Sequence, residues 1–267
     1  MCALINMQSG QNISTMIRIP NAIPIVILYG PPMCGKTMTL IRLCRYLLVN
    51  AYSVKPCKEF RSNPHYEERC HSFVDSINAS EAQPANGVYD DMFIEISDKR
   101  GNSICYIYDA SGDFYMNPWN LPPWIISLFM SANPKIWCFF TEPIFADIST
   151  RHNYVQTVDY VYHHFSDTSR DKYIIIHNKI DKTPFIISYQ KVDVASTLRS
   201  VRNLYPSLFD IFKNTSFVLK WFKPYMFTFV PFMTGIFAIH QDEYGLSYEV
   251  YSLGPDIYPA NLWNAIK

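Results

Sequence analysis

Eight consecutive residues carry the clearest chemistry in the chain: Gly30-Pro31-Pro32-Met33-Cys34-Gly35-Lys36-Thr37. Gly30 and Gly35 permit a tight turn in which backbone N–H groups face inward, the geometry that cradles phosphate oxygens. A helix opening behind such a turn adds its unsatisfied N-terminal donors and the positive end of its dipole. Pro31 and Pro32 lack N–H groups, but they occupy the first half of the turn. The amides of Met33, Cys34, Gly35, Lys36, Thr37 and Met38 remain to face an anion. Lys36 can reach terminal phosphates, and the Thr37 hydroxyl can ligate Mg²⁺.

For these groups to meet a phosphate, a strand must precede the turn and a helix must follow it. Ile23 to Tyr29 is a continuous apolar run, as expected for a strand covered on both faces. Leu40, Leu43, Leu47 and Leu48 have helical spacing and predict a helix from about Thr37 to Val49. Three more polar clusters follow predicted strands: Asp109-Ala110-Ser111-Gly112, Asn178-Lys179-Ile180-Asp181 and Thr234-Gly235. Loops at the carboxyl ends of parallel strands gather at one edge of a sheet, so these clusters should converge on the Gly30–Thr37 turn.

The remaining elements fit an alternating α/β order. Residues 1–22 carry no strong period and read as an arm or an edge strand. The domain then runs from 23 to 267, with a long polar insertion at about 50–90. Within the insertion, Asn63-Pro64 opens a helical pattern with Tyr66, Cys70, Phe73 and Ile77 on one face, and Ser80 to Tyr89 reads as loop. Met92–Ile96 and Ser103–Tyr108, around Asp98-Lys99-Arg100-Gly101-Asn102, predict a hairpin. Strands follow at Lys135–Thr141, Tyr173–His177 and Tyr225–Phe232. Helices are predicted at Trp124–Met130, Thr150–Phe165, Val192–Leu204 and Pro259–Lys267, with a Gly- and Tyr-rich link before the last. The economical architecture is a three-layer α/β fold: a mostly parallel sheet with one antiparallel strand and helices on both faces.

Composition narrows the function classes. Lys plus Arg and Asp plus Glu number 23 each, so no global field attracts nucleic acid or an anionic membrane. The two longest apolar stretches, Trp124–Phe145 and Phe217–Ile239, are broken by Pro and charged residues, so no membrane span is expected. Seven scattered cysteines suggest free thiols in a reducing cytoplasm rather than a disulfide framework. Cys57, His65, Cys70 and His71 match no standard zinc spacing.

Taken in order, the four clusters resemble the P-loop GTPases of the Ras-like kind, over about Ile23 to Gly235. Asn178-Lys179-Ile180-Asp181 matches that family's N-K-x-D guanine-specificity motif, and separates the resemblance from ATPases. A carboxylate at Asp181 can accept from both N1–H and the 2-amino group of guanine, whereas adenine would leave it desolvated and unpaired. The Lys179 stem can cover the base plane, and Asn178 would tie the motif back to the phosphate loop. Asp109 and Gly112 match the D-x-x-G element: the carboxylate would hold Mg²⁺ through water, and the Gly112 N–H would sense the γ-phosphate. Thr234 is carried over as a backbone contact to the guanine oxygen. The Tyr108–Asp113 stretch and the Pro-rich lead into Leu262-Trp263 also look like bacterial GTPases of multi-protein systems.

Two departures from the family pattern bear on hydrolysis. Relatives often carry Gln after the D-x-x-G glycine to orient the attacking water; here Asp113 stands there. Relatives also place a Thr before the second strand to bind Mg²⁺, yet no Thr occurs between Thr39 and Thr141. Ser76 and Ser80 are the chemical substitutes. The resemblance implies GTP or GDP as ligand, Mg²⁺ as cofactor, slow GTP hydrolysis with Lys36 and Asp113 as the catalytic groups, and a switch that engages a protein partner. The alternatives are a non-hydrolysing GTP-binding assembly protein and, less well matched, a P-loop kinase with Arg61, Arg69 and Arg100 as lid cations.

Overall fold

The computed structural model describes residues 2–9, 13–61, 64–78, 91–144, 147–188, 190–215, 221–241 and 247–267. The chain opens with β1 (Cys2–Ser9) and β2 (Ile13–Pro20), which pair antiparallel with Cys2 opposite Pro20. This opening segment is therefore a hairpin of its own and not a strand of the main sheet.

The main sheet begins with β3 (Ile25–Tyr29), buried at every position. After it come α1 (Lys36–Val49), β4 (Ser53–Pro56), α2 (Pro64–Asn78), β5 (Asp91–Ser97) and β6 (Ser103–Ala110). Two short helices, α3 (Gly112–Tyr115) and α4 (Pro123–Phe129), lead to β7 (Lys135–Thr141), α5 (Ile148–Phe165) and β8 (Lys172–His177). A small ribbon, β9 (Ile186–Ser188) with β10 (Lys191–Val192), precedes α6 (Val194–Leu204), α7 (Leu208–Ile211) and β11 (Phe227–Pro231). The chain continues through a hairpin, β12 (Gly235–Gln241) with β13 (Ser247–Leu253), and α8 (Ile257–Ile266).

Seven strands lie in the order β11-β8-β7-β3-β6-β5-β4. All pairings from β11 to β6 are parallel, while β5 is antiparallel to both its neighbours. One strand alone therefore runs against the rest, as the hairpin pattern predicts. Its turn is closed by Asp98, whose Oδ1 accepts from the Arg100 and Asn102 amides at 2.8 and 2.9 Å, with Gly101 at φ +82°. Helices cover both faces, α1 packing with α2 and α8 in one layer and α5 with α7 in the other. The architecture is α/β.

The apolar strands explain why this sheet forms. β3, β7 and β8 read IVILY, KIWCFFT and KYIIIH, and nearly every side chain is buried. Runs of this kind suit a strand with helices on both sides. In α2 the four residues expected on one face, Tyr66, Cys70, Phe73 and Ile77, are all buried. The sheet's amino edge is held by Asp171, which accepts from the Lys135 amide at 2.8 Å and from Trp137 Nε1 at 2.9 Å. Among the described residues no helix is long and apolar enough to cross a membrane.

Candidate functional site

The turn after β3 is built by its two glycines. A Cβ on Gly30 would stand 2.7 Å from Phe140 Cβ and 2.9 Å from Cys34 Sγ, so the chain passes where no side chain fits. Gly35 has φ +89° at the start of α1, the left-handed region that disfavours any residue with a Cβ. Met33 also takes positive φ, 60°, and points its side chain outward at the rim, 80 % exposed. Cys34 packs inward and is buried; burial raises its thiol pKa, with Lys36 opposing. Met38, in the first turn of α1, packs against the core.

Lys36 is buried and spans the turn, donating from Nζ to the Gly30 and Pro31 carbonyls, each at 2.9 Å. Thr37 Oγ1 donates to Asp109 Oδ2 at 2.6 Å, joining the first turn of α1 to the end of β6. Asp109 is almost wholly buried, and its Oδ1 makes no hydrogen bond. Burial raises the Asp109 carboxyl, with the Lys36 ammonium the main opposing influence. Two hard oxygen ligands thus stand together beside a cation, with one carboxylate oxygen unsatisfied. That donor set fits Mg²⁺ held by Thr37 and Asp109.

Gly112 lies directly on the turn: a Cβ there would come within 2.1 Å of the Pro32 nitrogen. Only a glycine allows this approach. Ser111 then caps α3, accepting from the Asp113 amide at 3.4 Å and donating to Asp113 Oδ2 at 3.2 Å. Asp113 itself is exposed.

The second half of the site comes from β8. The Asn178 amide donates to the Thr141 carbonyl at 2.8 Å, and its side-chain Nδ2 donates to the Cys34 carbonyl at 2.9 Å. Lys179 takes a left-handed backbone conformation, φ 54°, and its Nζ donates to the Met33 carbonyl at 2.9 Å. Both residues therefore lie against the turn after β3. Asp181 sits in a short 3₁₀ turn, its carboxylate 3.7 Å from Lys182 Nζ and 18 % exposed. Burial raises this carboxyl, opposed by hydrogen bonding and the neighbouring lysines. Thr234 is buried just past β11, a strand coupled to β8 by Phe232 N to His177 O at 2.8 Å and Ile180 N to Phe232 O at 3.2 Å.

The predicted clusters thus converge at one edge of the sheet. Ser76 does not join them. Its hydroxyl donates to the Ser72 carbonyl at 2.7 Å, and its own carbonyl accepts from Arg45 Nη2 at 2.7 Å. Arg45 is nine residues beyond Lys36, about 14 Å along the helix axis. Ser80 and the Ser80–Tyr89 loop lie outside the described residues.

Three further residues belong to this edge and were not read from the sequence. Glu142, buried just after β7, forms an ion pair with Lys179. His177, buried at the end of β8, shares a 3.1 Å hydrogen bond with Thr141 Oγ1. Asp91, opposite Ala110 in the β5–β6 ladder, is held by Arg61 Nη1 at 3.0 Å, while its carbonyl accepts from Arg69 Nε at 3.1 Å. The insertion is thereby latched beside Asp109-Gly112. The signal available was position: His177 ends a predicted strand, Glu142 follows one directly and Asp91 directly precedes one, all at the same edge.

No protein-family model and no curated protein sequence matches the chain. Among solved structures it is similar to nucleolar GTP-binding protein 1 of Plasmodium falciparum, at 15 % identity and a TM-score of 0.39, over 81 % of this chain and 79 % of that one.

Proposed function

We propose that this protein binds GTP and GDP with Mg²⁺, hydrolyses GTP slowly, and uses the difference between the two nucleotides as a switch. One observation carries the reading. The Asn178 side chain joins the Asn-Lys-x-Asp segment to the Cys34 carbonyl of the glycine-rich turn at 2.9 Å. A base held by Asp181 and phosphates held by the turn then belong to a single ligand.

The geometry of the site supports the following residue roles. Amides from Met33 to Met38 and the Lys36 ammonium would hold the phosphates, with Lys36 exchanging its two carbonyl partners for phosphate oxygens. Thr37 and Asp109 would hold Mg²⁺, which would supply positive charge against the negative charge that develops on the phosphates. Asp181 would accept from guanine, Lys179 would cover the base plane, and Thr234 would present backbone to the guanine oxygen. Gly112, packed on Pro32, would have to shift to admit a γ-phosphate, and its movement would reach the insertion through Ala110 and Asp91. Asp113 is the candidate for orienting the attacking water, and a protein partner would read the segment around Gly112. Cys34, Cys44, Cys57, Cys70, Cys105 and Cys138 are free, and all of these but Cys57 are buried, which supports a reducing compartment.

A second reading, nucleotide as a structural ligand without turnover, is favoured by Asp113 itself. Its carboxylate is engaged by Ser111 at the start of α3, and a negative group near the γ-phosphate adds repulsion. Multiple-turnover phosphate release separates the two readings.

The test of the ligand is base selectivity. Labelled GDP, GTP, ATP and xanthosine diphosphate are titrated against native protein and Asp181→Asn. Native protein should prefer GDP, and the variant should shift toward xanthine, whose 2-oxygen accepts from the new amide. Equal affinity of native protein for ATP and GTP overturns the assignment.

A further inference from the structure

Among the described residues, two large aromatic side chains left in solvent are adjacent: Trp221 is 78 % exposed and Phe222 87 %. They lie just before Lys223 and Pro224, in the connection between α7 and β11, whose base is closed by backbone pairing. The Asn214 amide donates to the Pro224 carbonyl at 2.9 Å, Met226 N to Phe212 O at 2.8 Å, and Lys213 bridges Tyr225 in antiparallel fashion. The Asn214 side chain adds a bond to the Lys223 carbonyl at 3.1 Å. The neck holds two aromatic rings outward instead of letting them fold onto the core, where an isolated Trp and Phe would normally go.

The charge around this loop is one-sided. Residues 211–241 contain no Asp or Glu but three lysines, Lys213, Lys220 and Lys223, in a chain whose total charges balance. A groove of about 420 Å³ beside the two rings is lined by Lys213, Asn214, Trp221, Pro224 and Tyr225. Arg202 stands over the Tyr225 ring at 5.4 Å, adding a cation to the same side. The carboxylate of Asp210 faces this group, 2.9 Å from Lys213. Trp and Phe flanked by Lys and Arg are the side chains that settle at the boundary between anionic headgroups and acyl chains.

We infer that the Trp221–Phe222 loop docks the protein onto an anionic lipid surface. The direction of the sheet agrees with this. The loop precedes β11 and so lies at the amino edge of the parallel strands, whereas the Gly30–Thr37 turn follows β3 at the carboxyl edge. Docked by the loop, the protein would keep its opposite edge open to solvent and to nucleotide.

The test is co-sedimentation of the full chain with vesicles of phosphatidylcholine alone or mixed equally with phosphatidylserine. The partition coefficient should be at least about tenfold higher on the anionic vesicles and should fall as salt is raised. Trp221→Ser with Phe222→Ser should lower it by about tenfold or more, and Lys213→Glu with Lys223→Glu should remove the preference for phosphatidylserine. Unchanged melting temperature in the double-serine variant shows that the fold is intact. Failure of the native chain to bind anionic vesicles at low salt overturns the proposal, as does binding that the double-serine variant retains. Concentration-dependent dimerisation abolished by the double-serine variant, without vesicle binding, would instead make this loop a contact between two copies.

Discussion

Gly35 and Asn178 compete for one space: a Cβ on Gly35 would stand 2.3 Å from Asn178 Nδ2. The contact that joins the two halves of the site therefore depends on the absence of a side chain at residue 35. Gly35→Ala meets two penalties, the +89° φ and the displaced amide. It should destabilise the fold by about 2 kcal/mol and weaken nucleotide binding at least tenfold, or about 1.4 kcal/mol. Asn178→Ala in the same chain removes the collision, so the double variant should be less unstable than the sum of the singles. Thermal melting and nucleotide titration of all three check this; strict additivity would show that the two residues do not interact.

Lys36→Ala should also lower affinity at least tenfold, about 1.4 kcal/mol, by removing the charge between the terminal phosphates. From sequence, Lys36 would be expected to matter little for packing. Its burial, and its bonds to Gly30 O and Pro31 O, add a structural cost. The nucleotide-free protein should therefore also melt lower, because two carbonyls lose a charged donor. Lys36→Met, which restores the apolar volume, should recover part of the melting temperature and none of the affinity. Unchanged binding in a folded variant would place the nucleotide elsewhere.

Asp113 separates enzyme from structural ligand. If its carboxylate orients water, Asp113→Ala lowers the single-turnover rate while GTP affinity stays nearly constant. If its charge only opposes the γ-phosphate, the same exchange strengthens GTP relative to GDP and leaves hydrolysis unchanged. Ser111→Ala frees the Asp113 carboxylate from its neighbour, and should move the rate only in the first case. Single-turnover hydrolysis and competitive titration distinguish the outcomes.

His177 should make stability depend on pH. Burial lowers its pKa from 6.5 to about 4, so between those values the unfolded chain binds the extra proton and the folded chain does not. The contribution is fully present above about pH 6.5 and is lost as pH falls toward 4, up to about 3 kcal/mol. Chemical denaturation at pH 7 and pH 5 measures it. His177→Asn should flatten the difference; an unchanged slope would assign the acid sensitivity to other groups.

The elements that position the site were legible because they are driven by local patterns. β3, β7 and β8 are unbroken apolar runs, and the hairpin of β5 and β6 is announced by Asp98 and Gly101. β4 escaped notice because Ser53-Val54-Lys55-Pro56 is short, polar and half exposed, as an edge strand tends to be. The hairpin of β12 and β13 read as a link because its Gly and Tyr content resembles loop. Glu142 was hidden for a different reason. Its partner Lys179 is 37 residues away and meets it only because β7 and β8 are neighbours, which no local pattern encodes.

Arg42 sets a condition on the order in which the molecule can assemble. It lies in α1, directly behind the glycine-rich turn, and its buried guanidinium donates to the Gly254 carbonyl at 2.7 Å and to Asp256 Oδ1 at 2.6 Å. β3 likewise waits for both of its neighbours, β6 and β7, which follow much later in the chain. During synthesis, residues 30–42 emerge early but have neither flanking strands nor a partner for Arg42 until residues 254–256 have been made. A chain stalled before residue 254 would hold a cation with no acceptor in its forming core. Such a chain should remain open to chaperones and proteases although its glycine-rich turn and the Asn178–Asp181 segment have already been made.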